Sequence, residues 1–379
     1  MQEIYLDFNA TTPIAPSVVE AMTPFFTNHY GNPSSGHAIG RAAAEAIEDA
    51  RYKIGALVGC DRNEIVFTGC GSEANNLALK GVMLSGNKPS GHMVISAIEH
   101  AAISEPAKFL RRLGCGLTVV PCDEHGVVRV ADVEAALQGN TRLVSIMHAN
   151  NEIGTIQPIR EITEVCHRRG ILVHSDASQS TGKIPVAVDQ LDVDMLTIAG
   201  HKLYGPKGIG VLFVREGLPL ESLVHGAGHE LGMRAGTENT PSIVGLGKAA
   251  ELVIGCLDES MEKMTTLRDR LYDQLSAAIP RLRVHGLAAD RLPNTLSVSF
   301  PEITGGDLLR RVPEICASTG AACHSIDEVG SATLAAMGIA PEVARGTVRF
   351  SVGWTTSEKE IDRASSLLID AWENLATSL

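Results

Sequence analysis

The 379-residue sequence has no CxxC pair, no long run of Lys and Arg, and no apolar run approaching the roughly 20 residues of a membrane span. Each gap excludes something. Eight cysteines scattered at 60, 70, 115, 122, 166, 256, 316 and 323 offer no zinc ribbon and no thioredoxin-type site. In a chain this large they also offer no disulfide framework, and most read as small buried hydrophobes. The formal charge of −12 argues against nucleic acid as a partner, because phosphate backbones reward clustered cations. The start MQEIYLDFNA has neither a basic nor an apolar targeting segment, so a cytoplasmic protein with no membrane partner is expected. No dinucleotide fingerprint, P-loop, internal repeat or low-complexity tract occurs. His225 and His229 in HGAGHE stand four apart, but the glycines between them give no helix to aim them, so no metal site is expected.

What is present is a globular composition, 44% hydrophobic and 20% charged, over a length that one core rarely serves. From about residue 40 to 255, helix-like segments alternate with short apolar runs, the mark of a βαβ sheet with helices on its faces. Arg41 to Leu57 and Ser72 to Leu84 read as helices. Residues 64–68, 92–97, 143–147, 171–174, 194–198 and 210–214 read as buried strands. Met261 to Ile279 carries an apolar stripe at helical spacing and stops before Pro280. Residues 295–300 and 347–352 alternate strictly, which predicts an antiparallel sheet covered on one face. The boundary falls near residue 258: a large domain over 16–258, and a smaller one from 1–15 with 259–379.

The chain is organised around AGHKLYGPKG, residues 199–208. A strand that stops at a glycine and then presents His201 and Lys202 puts an amine at the carboxyl edge of a sheet, where open α/β folds keep ligands. Lys202 is a candidate Schiff-base lysine; the alternative is a solvated turn lysine. Other strand ends add to it. GCGSEANN, with Gly69, Gly71 and Ser72 opening a helix, is either a phosphate site at the positive end of a dipole or an ordinary capped helix. Glu73 is an objection to phosphate. Asp176, with Gln179 three residues on, pairs with a protonated pyridine nitrogen or merely caps a helix. His100 stacks on an aromatic ring, shuttles protons, or is structural. Asn151, in NNEIG, reaches a ring oxygen or belongs to a turn.

NATTP at 9–13, YGNPSS at 30–35, IEH at 98–100, NNEIG, HSDASQ at 174–179, GHKLYGPKGIG at 200–210, RAGTEN at 234–239 and VRFSVG at 348–353 resemble the cysteine desulfurases. These are the NifS- and IscS-like branch of the class V aminotransferases, with the selenocysteine lyases beside them. The resemblance implies fold type I of the pyridoxal 5′-phosphate enzymes: a large α/β domain on a mixed, mostly parallel seven-stranded sheet, and a smaller α+β domain. It also implies a homodimer acting on L-cysteine or L-selenocysteine, with the cofactor on Lys202.

By the same resemblance, Gly71, Ser72 and His201 hold the phosphate, His100 stacks on the ring, Asp176 meets the ring nitrogen, and Gln179 with Asn151 meets the ring hydroxyl. Thr237 reaches the phosphate of the other subunit. Asn9, Asn32, Asn151 and Arg349 bind substrate, Arg349 gripping the α-carboxylate with a bidentate fork. Cys323, in a small-residue stretch at 318–325 expected to be mobile and accessible, is the nucleophile that takes the sulfur.

The pattern also departs from that family. Ala199 stands where the IscS type has a serine, so one phosphate hydrogen bond is lost or replaced. GAACHS around Cys323 resembles the selenocysteine lyases more closely, Trp354 stands where many relatives have Arg, and the chain ends at Leu379, short of the tail that meets an iron–sulfur scaffold. Selenocysteine lyase is therefore the alternative activity. A class V aminotransferase or racemase, or a cofactor-bound sulfur carrier without turnover, remains behind it. The sulfur acceptor protein is open.

Overall fold

The computed structural model describes residues 3–86, 89–319 and 331–377. In chain order its strands are β1 (Ile4–Tyr5), β2 (Ile65–Thr68), β3 (His92–Ser96), β4 (Gly116–Val120), β5 (Thr141–Ser145) and β6 (Leu172–Asp176). β7 (Met195–Ala199), β8 (Gly210–Val214), β9 (Arg283–Val284), β10 (Thr295–Ser299), β11 (Ile315–Cys316) and β12 (Thr347–Ser351) follow. Seven of them form one sheet in the order β2-β8-β7-β6-β5-β3-β4. β8 runs antiparallel to both of its neighbours and the other pairs are parallel. β2, β3, β5, β6 and β7 therefore all end at one edge, and the site is built there.

Every residue of β2, β3, β7 and β8 is buried, because helices cover both faces, and this is why these strands read as continuous apolar runs. Successive side chains go to opposite faces. Phe67, Val94, Leu196 and Val211 pack with the helices Ala38–Val58, Ile159–His167 and Thr240–Ala278. Val66, Met93, Met195 and Leu212 pack with Gly71–Met83 and Ala101–Arg112. β4, which was not read from the sequence, is the edge strand, with Val119 half exposed.

Two corrections concern the second part of the chain. The helix read from Met261 begins at Thr240, where the Asn239 side chain accepts from the Ser242 N–H and Pro241 occupies the first turn. It runs unbroken through residue 258: Val253 belongs to the large core and Met264 to a second core with Ile4, Leu6, Leu296, Phe350 and Leu368. One helix thus serves both cores, and the change from one to the other falls between Val253 and Met264. It is the one helix among the described residues long and apolar enough to cross a membrane by composition, and half of its most apolar window is buried inside the chain.

The sheet β12-β10-β9 is covered on both faces, not one: all residues of β10 and β12 are buried. Leu296, Val298, Val348 and Phe350 face the second core. The polar face meets the N-terminal segment, where Asn9 donates its backbone N–H to Ser351 Oγ at 2.9 Å and its side-chain N–H to Thr295 Oγ1 at 2.8 Å.

Candidate active site

The carboxyl ends of β2, β3, β5, β6 and β7 surround a cavity of about 280 Å³ lined by Gly71, Ser72, His100, Asn151, Asp176, Gln179, His201 and Lys202, among others. Asp176 is the last residue of β6 and is paired in register with Thr197 of β7, five residues before Lys202. Lys202 closes a 3-10 turn over Gly200–Lys202 and donates from Nζ to the carbonyls of Asn9 at 2.5 Å and Ala10 at 2.8 Å. A Cβ on Gly200 would lie 2.7 Å from the Ile209 side chain and 3.1 Å from its carbonyl oxygen, so glycine is what lets the turn pack against the next strand.

At the phosphate end the expected cap is different. The N-cap of the helix Gly71–Met83 is Cys70, whose side chain caps nothing, and Ser72 is an exposed residue one position inside the helix. The first-turn N–H groups are thus left for a ligand. Glu73 is no objection: it turns away, accepting from Gly69 N–H at 2.8 Å and from Arg234 Nε at 2.9 Å. A Cβ on Gly71 would come within 3.0 Å of Ala199 Cβ and 3.3 Å of Ser178 Oγ, so the cradle is one a side chain would fill.

Around the ring end, Asp176 accepts from Asn75 Nδ2 at 2.7 Å and from the Ser178 N–H at 2.9 Å, which fixes both carboxylate oxygens. Asn75 Oδ1 is buried and unpartnered among the described residues. His100 caps the helix Ala101–Arg112 through Nδ1, and burial holds its pKa below the ordinary value, opposed by Asp176 and helped by Lys202. Burial, then Lys202, Lys207 and Lys183, push His201 down to about 4, so at neutral pH it is an uncharged imidazole. Beside His100, burial raises the Glu99 carboxyl to about 8, and it accepts from Ser96 Oγ and the Met147 N–H.

Arg349 is 3% exposed, so the solvated polar face is excluded. It donates from Nη2 to Asp7 Oδ1 at 2.7 Å and from Nη1 to the carbonyl of Asn151 at 2.9 Å; Nε is buried with no partner among the described residues. Asn9 is 1% exposed, a hub beneath the cavity. Four expected residues are not among those lining the cavity; of these, Asn9 and Arg349 lie beside it, each donating to the Asn151 carbonyl. Asn32 sits in an exposed loop, its side chain accepting from the Ser34 N–H, and Thr237 is exposed on the loop after Gly236. Cys323 lies outside the described residues.

Three residues near the site were not singled out in the sequence. Ser178 puts a hydroxyl next to Gly71, where Ala199 brings none; Asn75 orients Asp176 from one turn inside the helix; Lys183 is buried behind Gln179. An Asp-Ala-Ser-Gln run could have pointed to Ser178, but nothing local marks the other two.

The cavity suits pyridoxal phosphate: free N–H groups and a small-residue cradle at one end, a fixed carboxylate in the middle, and an amine on the neighbouring strand. The comparisons agree. The class V aminotransferase family model matches residues 4–364. The chain is 42% identical to cysteine desulfurase IscS of Dictyoglomus turgidum over 378 residues, covering 99% of this chain and 96% of the relative. It is 44% identical to a cysteine desulfurase of Nostoc sp. over 99% of this chain and 94% of that one. Among solved structures, a NifS-like protein superposes with a TM-score of 0.91 at 37% identity, over 99% of this chain and all of the other. SspA in complex with cysteine superposes with a TM-score of 0.83 at 36% identity, over 92% and 98%. The chain belongs to the class V aminotransferase family, in its pyridoxal phosphate-dependent cysteine desulfurase branch.

Proposed function

We propose that this chain converts L-cysteine to L-alanine and keeps the sulfur as a persulfide on Cys323 for delivery to an acceptor protein. The observation that carries this is Lys202 and Asp176 on adjacent strand ends of one cavity, with Arg349 bonded to the Asn151 carbonyl at its rim. Ser72, Gly71 and His201 would hold the cofactor phosphate, His100 its ring face, Asp176 its ring nitrogen, and Gln179 and Asn151 its hydroxyl. When bound, pyridoxal phosphate supplies an electron sink.

The protein's own residues do the rest. Arg349, with Asn9 and Asn151 beside it, orients the substrate carboxylate. Lys202 Nζ takes the α-proton. The Cys323 thiolate attacks the substrate Sγ; an S–S bond forms as the Sγ–Cβ bond breaks, and the electron pair stays on carbon. Net, L-cysteine and the enzyme thiol give L-alanine and the enzyme persulfide.

The test is alanine and protein-bound persulfide measured on the purified protein. Cys323→Ala should keep its yellow colour and lose sulfur transfer; release of sulfide at the parent rate would show another nucleophile. Borohydride reduction and peptide mapping should label Lys202. Running L-selenocysteine in parallel separates the lyase alternative, which predicts turnover of selenocysteine without Cys323.

We also propose a homodimer in which Thr237, and Asn32 in the other exposed loop, complete the neighbouring site. Phe26, Tyr30 and Tyr52 support this, each exposed by more than three-fifths. Mixed dimers carrying Lys202→Ala on one chain and Thr237→Ala on the other should keep one intact site, whereas a Thr237 that served its own chain would leave none and overturn the arrangement. The seven described cysteines are free thiols, which supports a reducing, cytoplasmic compartment. Recovery of the native protein from an oxidising compartment would oppose it. Iron–sulfur cluster assembly is the proposed destination of the sulfur; persulfide transfer to a cluster scaffold protein is the assay.

A further inference from the structure

Lys183 is 4% exposed, and its Nζ meets two neutral amide oxygens: Gln179 Oε1 at 2.8 Å and Asn9 Oδ1 at 3.2 Å. The charged groups that act on it are Lys202 and Arg349, both cations, and no carboxylate is among them. Burial and then these two charges hold its pKa well below the ordinary value.

Both acceptors belong to the site. With Oε1 occupied by Lys183, Gln179 presents its Nε2 end to the cavity and donates to the carbonyl of Asn9 at 3.1 Å. Turning the amide over would set its oxygen against that carbonyl. Asn9 Oδ1 also accepts from Asn294 Nδ2 at 2.9 Å, and its backbone carbonyl accepts from Lys202 Nζ. One buried side chain thus reaches Gln179 directly and Lys202 through Asn9.

We propose that Lys183 is a positioning residue of the desulfurase: it locks the Gln179 amide with its nitrogen toward the cofactor's ring hydroxyl and holds Asn9 under Lys202, which together set the proton affinity of the bound cofactor. This rests on the reading of the cavity given above, with Gln179 facing the ring hydroxyl. A donor aimed at that oxygen favours its anionic form, so releasing Gln179 makes the cofactor harder to deprotonate.

The test is the pH titration of visible absorbance of the protein reconstituted with pyridoxal phosphate. Lys183→Met should raise the midpoint by about half a unit or more. Lys183→Gln, which keeps an uncharged donor, should return it toward the parent value. Gln179→Leu should raise it likewise, and adding Lys183→Met to that background should add little. A purely structural lysine would change the melting temperature of the apoprotein without moving the midpoint, and an unmoved midpoint in Lys183→Met overturns the proposal. A full extra shift in the Gln179→Leu background overturns the route through Gln179. Should Lys183→Met fail to fold, Lys183→Gln against Gln179→Leu decides: a midpoint in Lys183→Gln displaced as far as in Gln179→Leu overturns it. A parent protein that takes up no colour, or is not labelled at Lys202, overturns the cofactor reading itself, and is distinguished by failing before any variant is compared.

Discussion

Arg51→Met should be among the most damaging single changes outside the cavity. Arg51 is 7% exposed and Glu230 6%. The guanidinium donates to both Glu230 oxygens, at 2.9 and 2.8 Å, and to the Ile65 carbonyl at 2.6 Å; Glu230 also accepts from the Phe67 N–H at 2.7 Å. The pair ties β2 to the start of the loop that carries Arg234 and Thr237. It also holds Glu230 and Leu231 at positive φ, 46° and 58°, a conformation side chains disfavour. Removing one partner leaves a buried carboxylate uncompensated, a loss of about 3–5 kcal/mol. Urea unfolding of the apoprotein followed by far-UV circular dichroism measures it, as a lower midpoint at unchanged slope. Arg51→Met with Glu230→Leu should recover part of that loss, because an apolar pair needs no counter-charge although the Ile65 carbonyl and the Phe67 N–H then lose their partners. A single-variant loss below about 1 kcal/mol, or a double variant as unstable as the two singles summed, would refute the argument. Cofactor retention should fall with the single variant, since Arg234 of the same loop anchors Glu73 beside the phosphate cradle.

Three further outcomes are expected. His148, His174, His201 and His285 are all held near 4 by burial, below their unfolded value of about 6.5, so the unfolded chain binds more protons between those values. Stability should therefore fall as pH drops through that window, by about 4 kcal/mol per unit near pH 5 once Glu99, raised to about 8 and acting in the opposite sense there, is set against the four histidines; a melting temperature flat from pH 6.5 to 4.5 would contradict the assignment. Gly210→Ala should lose cofactor and stability together, because a Cβ there would lie 2.4 Å from the Cys70 carbonyl carbon and 2.7 Å from the Gly71 nitrogen; a colour yield equal to the parent's refutes it. Ser178→Ala should raise the dissociation constant for pyridoxal phosphate about tenfold or more, by loss of one hydrogen bond to a charged group, and an unchanged titration would remove Ser178 from the site.

Much of the sheet was legible because each central strand is buried on both faces and so writes itself as a short apolar run between turns. The cavity residues at the strand ends were legible for a related reason: Asp176 closes its strand and Lys202, His100 and Asn151 come within two turns of theirs, within motifs a single sequence shows. The helix from Thr240 was only half read: one apolar stripe runs its length, Ile243, Leu246, Ala250 and Val253 meeting one core and Met264, Leu267, Leu271 and Leu275 the other, but Ser260 stands on the stripe between them. β4 was missed as an edge strand. The polar face of β12 looked solvated because alternation reports that a face is polar, not what lies against it.

The sequence by itself determined the α/β layering, the strand-end residues that line the cavity, and the family. Only the tertiary structure decided which polar groups satisfy one another across the chain: Arg349 with Asp7, Asn75 with Asp176, and Lys183 with Gln179 and Asn9. The reason is physical. Periodicity and turn chemistry are local, whereas a buried amine or guanidinium is made tolerable by partners that only folding brings near, and Asn9 and Lys183 are 174 residues apart in the chain.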